Sequence, residues 1–211
     1  MGSLGESPRK VAERGFHPAW SPDGRHLAFV SRRGGDPSDR RASLHVIPVD
    51  GPGEVRCLVE RPDSLSAPAW SPDGRQLLFA APGGTDSFGN DLGLDLWVIN
   101  QDGTEIKNIT HSVGDDSQPD WSPDGNSITF NSTRVNDLDQ AFTMPASCIL
   151  EPEGACWDVE ATNISAGYSV EFGPAWSPDG GTIAVSGSIN GAPGRILLDR
   201  KSTRLNSSHS S

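Results

Sequence analysis

The sequence predicts an all-β protein: a β-propeller of four-stranded antiparallel blades, incomplete, with about three and a half to four blades present. Three observations carry that expectation. The segment Pro18-Ala19-Trp20-Ser21-Pro22-Asp23-Gly24 returns at 68–74, at 119–125 with Asp120 in place of the alanine, and at 174–180. The tryptophans of successive copies are 50, 51 and 55 residues apart, a near-constant step that marks stacked supersecondary units. Between the copies lie short apolar runs bounded by turn residues, and no stretch reads as a helix of ten or more residues.

Each element follows from local chemistry. Ser-Pro-Asp-Gly suits a tight reversal, because proline presets φ, aspartate accepts hydrogen bonds from nearby amides, and glycine takes positive φ where the chain re-enters a strand. The runs after the turns, Leu27-Ala28-Phe29-Val30, Leu77-Leu78-Phe79-Ala80, Ile128-Thr129-Phe130 and Ile183-Ala184-Val185, are rich in β-formers and read as buried strands. Residues 44–49 and 96–99 read as third strands running into Asp50-Gly51 and Asp102-Gly103, and short fourth strands follow at 55–59 and 106–109. Four strands per repeat is the make-up of a propeller blade. The blades are placed at residues 16–62, 63–111, 112–166 and, incomplete, 167–198. Residues 1–15 read as the last strand of a preceding blade or a ring-closing strand, since residues 6–11 align with residues 52–57.

Residues 199–211 break the pattern, with no apolar period. They read as the translation of one frame of a widely used sequencing adapter, an artefactual tail to be left out of fold reasoning. The stretch holds three of the 17 basic and one of the 28 acidic residues, so without it the net charge sharpens from −11 to about −13. Such an acidic chain disfavours nucleic-acid binding, which rests on cationic contacts to phosphate. No stretch approaches the ~20 apolar residues of a membrane span.

The turn "PAWSPDG", the "LWVI" strand before Asp102-Gly103-Thr104 and the "NIT" strand at 108–110 resemble the WD-like β-propeller repeat of TolB-type proteins. The resemblance covers roughly residues 5–198. It implies one of two functions. The first is a non-catalytic, TolB-like scaffold for protein–protein interaction or ligand presentation, in the periplasm or outside a bacterial cell, with a protein partner and no cofactor. The alternative is the gating propeller of a prolyl-oligopeptidase-type serine peptidase whose hydrolase domain lies in sequence not present here. One departure is expected, a long insertion at residues 132–162 where the family makes a short hairpin.

Few residues qualify for chemistry. Trp20, Trp70, Trp121 and Trp176 are expected to pack between adjacent sheets rather than stack on a ligand, and Asp23, Asp73, Asp124 and Asp179, with Gly24, Gly74, Gly125 and Gly180, to shape turns rather than hold metal. The loop at 85–95 offers Asp86, Asn90, Asp91 and Asp95 as weak calcium ligands without the spacing of an EF-hand, against the plainer alternative of a solvated hairpin tip. Asp115 and Asp116 are placed at the channel or its mouth. Cys148 and Cys156, eight apart within the insertion, are expected to form a disulfide rather than remain free thiols, and Cys57 to be a small buried residue. His17, His26, His45 and His111 share no evident partner, and no Gly-x-Ser-x-Gly, His-Glu-x-x-His or phosphate-loop motif occurs. Asn108, Asn131 and Asn163 fit the glycosylation pattern, yet their recurrence at strand ends favours a structural role.

Overall fold

The computed structural model describes residues 10, 15–32, 41–50, 53–61, 65–84, 93–152, 155–156, 161–165, 169–188 and 195–200. Four antiparallel sheets follow one another along the chain. The first contains β1 (Gly15–Trp20), β2 (His26–Arg32), β3 (Ala42–Pro48) and β4 (Arg56–Arg61), and the second β5 (Ala69–Trp70), β6 (Gln76–Pro82), β7 (Leu94–Asn100) and β8 (Lys107–Asn108). The third contains β9 (Asp116–Trp121), β10 (Ser127–Ser132), β11 (Gln140–Pro145) and β12 (Thr162–Asn163), and the last β13 (Ser169–Trp176), β14 (Thr182–Ser188) and β15 (Arg195–Arg200). In every sheet sequential strands are spatial neighbours, which is the up-and-down order of a propeller blade.

The Ser-Pro-Asp-Gly turns joining the first two strands share one geometry. In the first copy the Ser21 hydroxyl donates to Asp23 Oδ1 at 2.6 Å, the Arg25 amide donates to the same oxygen at 2.9 Å, and the His26 amide donates to Ser21 Oγ at 2.9 Å. Ser71 and Asp73, Ser122 and Asp124, and Ser177 and Asp179 repeat the pattern. The closing glycines have φ of 68°, 71°, 71° and 69°, a region that a side chain makes costly.

Alternation along each central strand divides its side chains between two neighbours. Leu77, Phe79, Ala81 and Ile99 face back onto Ala28, Val30, Leu44 and Val46 of the first sheet. Leu78, Ala80, Leu96 and Val98 face forward onto Ile128, Phe130, Phe142 and Met144 of the third. Ile183 and Val185 pack with Ala141, whose neighbour Phe142 faces the second sheet. The core is thus a series of inter-sheet layers, each of which needs both its blades.

That arrangement corrects one expectation about the tryptophans. Trp70 and Trp121 are buried, and Trp176 is half-buried, each against the sheet before it. Trp20, at 59% exposure, has no described sheet before it to pack on. Cys57 is also exposed rather than buried, because β4 is the outermost strand of its blade.

The insertion is shorter than expected. Residues 140–145 pair with β10 from Ser127 to Ser132 and are simply the third strand of the blade. Its sequence, Gln-Ala-Phe-Thr-Met-Pro, lacks the apolar signature of "LWVI", which hid it. The extra material between third and fourth strands is residues 146–161, opening with a 3-10 helix at Ala146–Leu150. At the other end, β15 continues past Leu198, with Asp199 pairing with Ile183 and Arg200 with Thr182. The tail boundary drawn after Leu198 therefore falls inside a strand, because backbone pairing does not require the apolar pattern that set that boundary. Residues 201–211, and nearly all of 1–14, lie outside the described residues.

Candidate functional site

The first strands of the blades lie innermost and line a concavity of about 710 Å³ along the propeller axis. His17, Trp20, Trp70, Gln118 and Asp120 face it, between the prolines of the repeated X-Pro segment. His17 and Gln118 occupy the same place in their repeats, immediately before proline, and both take positive φ, 53° and 50°. Left-handed backbone at a non-glycine residue before proline is uncommon. Here it coincides with breaks in strand register next to each residue, bulges that re-aim the side chain. Ala67 and Gly173 hold the equivalent places in the other repeats. A Cβ added to Gly173 would lie 2.9 Å from Gln118 Cβ, so the last two inner strands are in close contact there.

Among the described residues Asp120 is the one carboxylate lining this wall, at a position that is alanine in the other three repeats. Desolvation raises its pKa, partly offset by hydrogen bonds from the backbone amides of Trp121 and Trp176. The Trp121 amide donates to Oδ1 at 2.9 Å. Asp120 therefore ties adjacent inner strands together while placing a titratable group in the channel.

Of the residues singled out as calcium ligands, the structure describes Asp95 alone. Asp86, Asn90 and Asp91 lie outside the described residues. Asp95 is fully buried in a lock between third and fourth strands. The Asn108 amide donates to Asp95 Oδ2 at 2.8 Å, and the Thr110 hydroxyl lies 3.4 Å from Oδ1. The Leu96 amide in turn donates to Thr110 Oγ1 at 2.9 Å. The next blade repeats this with Asn163 Nδ2 donating to Gln140 Oε1 at 2.8 Å and the Ala141 amide donating to Ser165 Oγ at 2.8 Å. A neutral glutamine in the place of Asp95 shows what the position requires, an acceptor for the asparagine amide. The two equivalent Asn-Ile-Thr/Ser sequences are thus fourth-strand locks, a role that the recurrence at strand ends already favoured. Burial pushes the Asp95 carboxyl above the ordinary carboxylate range, with Asn108 opposing. Among the described residues no group of three or more His, Cys, Asp or Glu side chains is placed to hold a metal.

Asp116 is not at the channel mouth. It is fully buried, 2.8 Å from the Arg134 guanidinium, and accepts from the Ser112 hydroxyl at 3.1 Å. Arg134 also lies over the Phe130 and Phe142 rings, 5.2 and 5.1 Å from their centroids, closing the end of the third blade. Asp115 accepts from the Leu94 amide at 2.8 Å and so links the second and third sheets. His45 stacks on Phe29 at 5.2 Å, and its Nε2 lies 2.8 Å from Ser31 Oγ. Burial holds its pKa down, and its Nδ1 is buried without a partner. A serine–histidine contact with no third group to orient the imidazole is a packing arrangement rather than an activated nucleophile.

Cys148 and Cys156 form a disulfide, their Cα atoms 5.0 Å apart. Both, with Ala146 and Ile149, are buried in the layer between second and third blades. Lys107 Nζ donates to the carbonyls of Ile149 at 3.0 Å and Glu151 at 3.2 Å, and the Ala146 amide donates to Asn126 O at 2.9 Å. The start of the insertion is therefore fixed to two blades. Nothing in its sequence foretold the docking except the apolar Ile149.

Similarity to known proteins agrees with this geometry. Residues 9–148 match the TolB beta propeller domain. The crystal structure of TolB from Acinetobacter baumannii superposes with a TM-score of 0.68 at 22% identity, over 93% of this chain and 44% of that one. A puromycin-hydrolyzing peptidase from Mycobacterium tuberculosis superposes with a TM-score of 0.63 at 18% identity, over 88% of this chain and 29% of that one. In sequence, 101 residues are 36% identical to the uncharacterized peptidase YuxL of Bacillus subtilis, 46% of this chain and 13% of that protein. The chain thus spans less than half the length of each. With the matched residues covering well over half of its sequence, it belongs to the TolB β-propeller domain family.

Proposed function

We propose that this propeller is a protein-binding scaffold acting outside the bacterial cytoplasm. The channel wall carries the proposal. Its concavity presents exposed indole surface at Trp20, imidazole and amide groups at His17 and Gln118 on backbone bulges, and one carboxyl at Asp120, a mixture suited to gripping a protein segment. The Cys148–Cys156 bridge supports an oxidising compartment. Family membership supports the fold and leaves the partner to the site. The test is quantitative capture of a discrete protein from a periplasmic extract, comparing the chain with W20A and Q118A. Loss of capture in either folded variant is expected. Equal capture by all three would remove the channel wall from the function.

A second reading is favoured by a specific observation, the 36% identity to a protein named as a peptidase. On that reading the propeller is the gate of a serine peptidase, and the channel admits substrate to a hydrolase domain encoded elsewhere in the gene. Cleavage of aminoacyl 4-nitroanilides by a longer gene product that contains this chain, and not by this chain, would establish the gate and displace the scaffold.

A further inference from the structure

The junction between the second and third blades holds two fully buried carboxylates, Asp95 on β7 and Asp116 at the start of β9. We propose that they form an acid-set clasp, which seats β9 firmly while Asp95 carries a proton and loosens when Asp95 ionises beside Asp116. β9 also carries Gln118 and Asp120 of the channel wall, so the clasp makes that wall responsive to pH whatever the channel holds.

The geometry sets two carboxylates against one cation. Ser112 joins the pair, its hydroxyl donating to Asp116 Oδ2 at 3.1 Å and its amide to the Asp95 carboxyl. The other Asp116 oxygen, Oδ1, is buried without a partner, which adds to the cost of a second buried charge. Among the described residues the one cation in contact with the pair is Arg134, 2.8 Å from Asp116 Oδ2. Asp95 meets neutral groups instead. Its Oδ2 accepts from the Asn108 amide at 2.8 Å, and its Oδ1 lies 3.4 Å from the Thr110 hydroxyl. A Cβ at Gly83 would run into Asp95 Oδ2, so backbone closes that side to water. With hydrogen-bonding partners on both oxygens, Asp95 serves the strands and is not a metal ligand.

The fold does not require these charges. Between the first and second blades the same two places hold Ser43 and Leu65. In the third blade Gln140 stands in the place of Asp95 and accepts from Asn163 Nδ2 at 2.8 Å. An uncharged acceptor thus completes the lock, and a protonated Asp95 offers the same carbonyl oxygen without repulsion from Asp116. Burial, and with it the Asp116 charge, pushes the Asp95 carboxyl above the ordinary range, while Asn108, the Ser112 amide and the exposed His111 pull it down. Arg134 lies on Asp116, and Asp115, exposed, accepts from the Leu94 amide next in the chain. A folded value above the unfolded one means that the stabilisation is complete below the unfolded value and is lost as pH rises through the folded one. The clasp is therefore tight on the acid side of the Asp95 titration and loose above it.

The test is hydrogen exchange on the ¹⁵N-labelled full chain from about pH 4.5 to 8, with two amides compared in one sample. The Leu96 amide donates to Thr110 Oγ1 within the clasp, and the Ala141 amide donates to Ser165 Oγ in the uncharged lock of the next blade. Their protection ratio cancels the common effect of pH on exchange. It should fall by roughly two-fold or more as pH rises, the low end for coupled neighbours in one network. D95N, which keeps an acceptor for Asn108, should hold the ratio at its acid value throughout, and D116N should move the fall to lower pH. A ratio that stays flat in the unsubstituted chain overturns the clasp, as does a fall that persists in D95N or keeps its place in D116N. Should either variant fail to fold, the ¹³C shift of the Asp95 carboxyl in the unsubstituted chain decides, and a midpoint at or below the ordinary aspartate value overturns the proposal. The Gln118 amide resonance should move with the Asp95 midpoint in the unsubstituted chain and not in D95N, and its indifference would overturn the link to the channel wall.

Discussion

Reducing the Cys148–Cys156 bridge should destabilise the protein by about 2.5 kcal/mol, the entropy of an unfolded chain released from a cross-link that closes eight residues. For a domain of this size that corresponds to a fall in Tm of roughly 5–10 °C. The bridge matters because of what it fastens. Cys148 and Cys156 are buried together with Ala146 and Ile149 against Phe130, Phe142 and Leu96, and Lys107 reaches the helix carbonyls from the neighbouring blade. An insertion freed of its staple keeps those contacts in the folded state but has more unfolded conformations to give up. Thermal unfolding followed by near-ultraviolet circular dichroism, with and without phosphine reductant, measures the effect in a C57S background that removes the exposed third thiol. C148A/C156A should match the reduced protein. A reduced protein melting within about 1 °C of the oxidised one would falsify the argument, because it would mean that the cross-link constrains nothing the blades do not already hold.

Other perturbations test the fold and the channel. Phe130→Ala, at a fully buried position stacked on Phe142, should cost about 3–5 kcal/mol in urea unfolding, and a cost below about 1 kcal/mol would contradict the inter-sheet layer described here. Gly24→Ala and Gly74→Ala should each cost about 1–2 kcal/mol from positive φ alone, since no atom comes closer than 3.7 Å to either new Cβ. Unequal costs would point to contacts instead of backbone. Asp120 has a raised folded pKa, so its contribution is fully present below the unfolded value and is lost as pH rises through the folded one. D120N, which keeps the acceptor, should flatten that part of the stability–pH curve, and an unchanged slope would place the titration elsewhere. Asp23 and Asp179 run the other way. The Ser21 and Ser177 hydroxyls lower their pKa, so their stabilisation is present above the unfolded value and disappears as pH falls through the folded one.

Blade architecture was legible because its determinants are local and repeated. A Ser-Pro-Asp-Gly turn closes on itself through hydrogen bonds spanning five residues or fewer, so four copies announce four reversals. The Asn-Ile-Thr lock was harder to see. Its asparagine and hydroxyl are close in sequence, but their partners, Asp95 and the Leu96 amide, are 13 and 14 residues away. Asp95 consequently looked like an oxygen ligand when its work is to hold a strand. The exposure of Trp20 escaped detection for a similar reason, since burial at that position depends on the sheet it packs against and four copies of one motif carry no information about which of them has such a sheet.

The two concavities differ in how the chain arrives at them, and that difference bears on function. The channel wall is made from the repeat itself, so its character is set by the positions that vary between copies: histidine or glutamine before proline, aspartate for alanine at 120. A second concavity, of about 560 Å³ between the Ser-Pro-Asp-Gly turns of the second and third blades and the 3-10 helix, owes one side to two unaltered turns and the other to sequence that the repeat does not contain. A propeller under pressure only to stack would have no need to hold residues 146–150 with a disulfide, a lysine and two buried apolar residues. Those contacts leave Leu150 83% exposed at the edge of that concavity. Since ordering a loop costs conformational entropy, the cross-link and the Lys107 contacts offset part of what the insertion takes from stability, and the wall it forms can vary in sequence without disturbing the repeat.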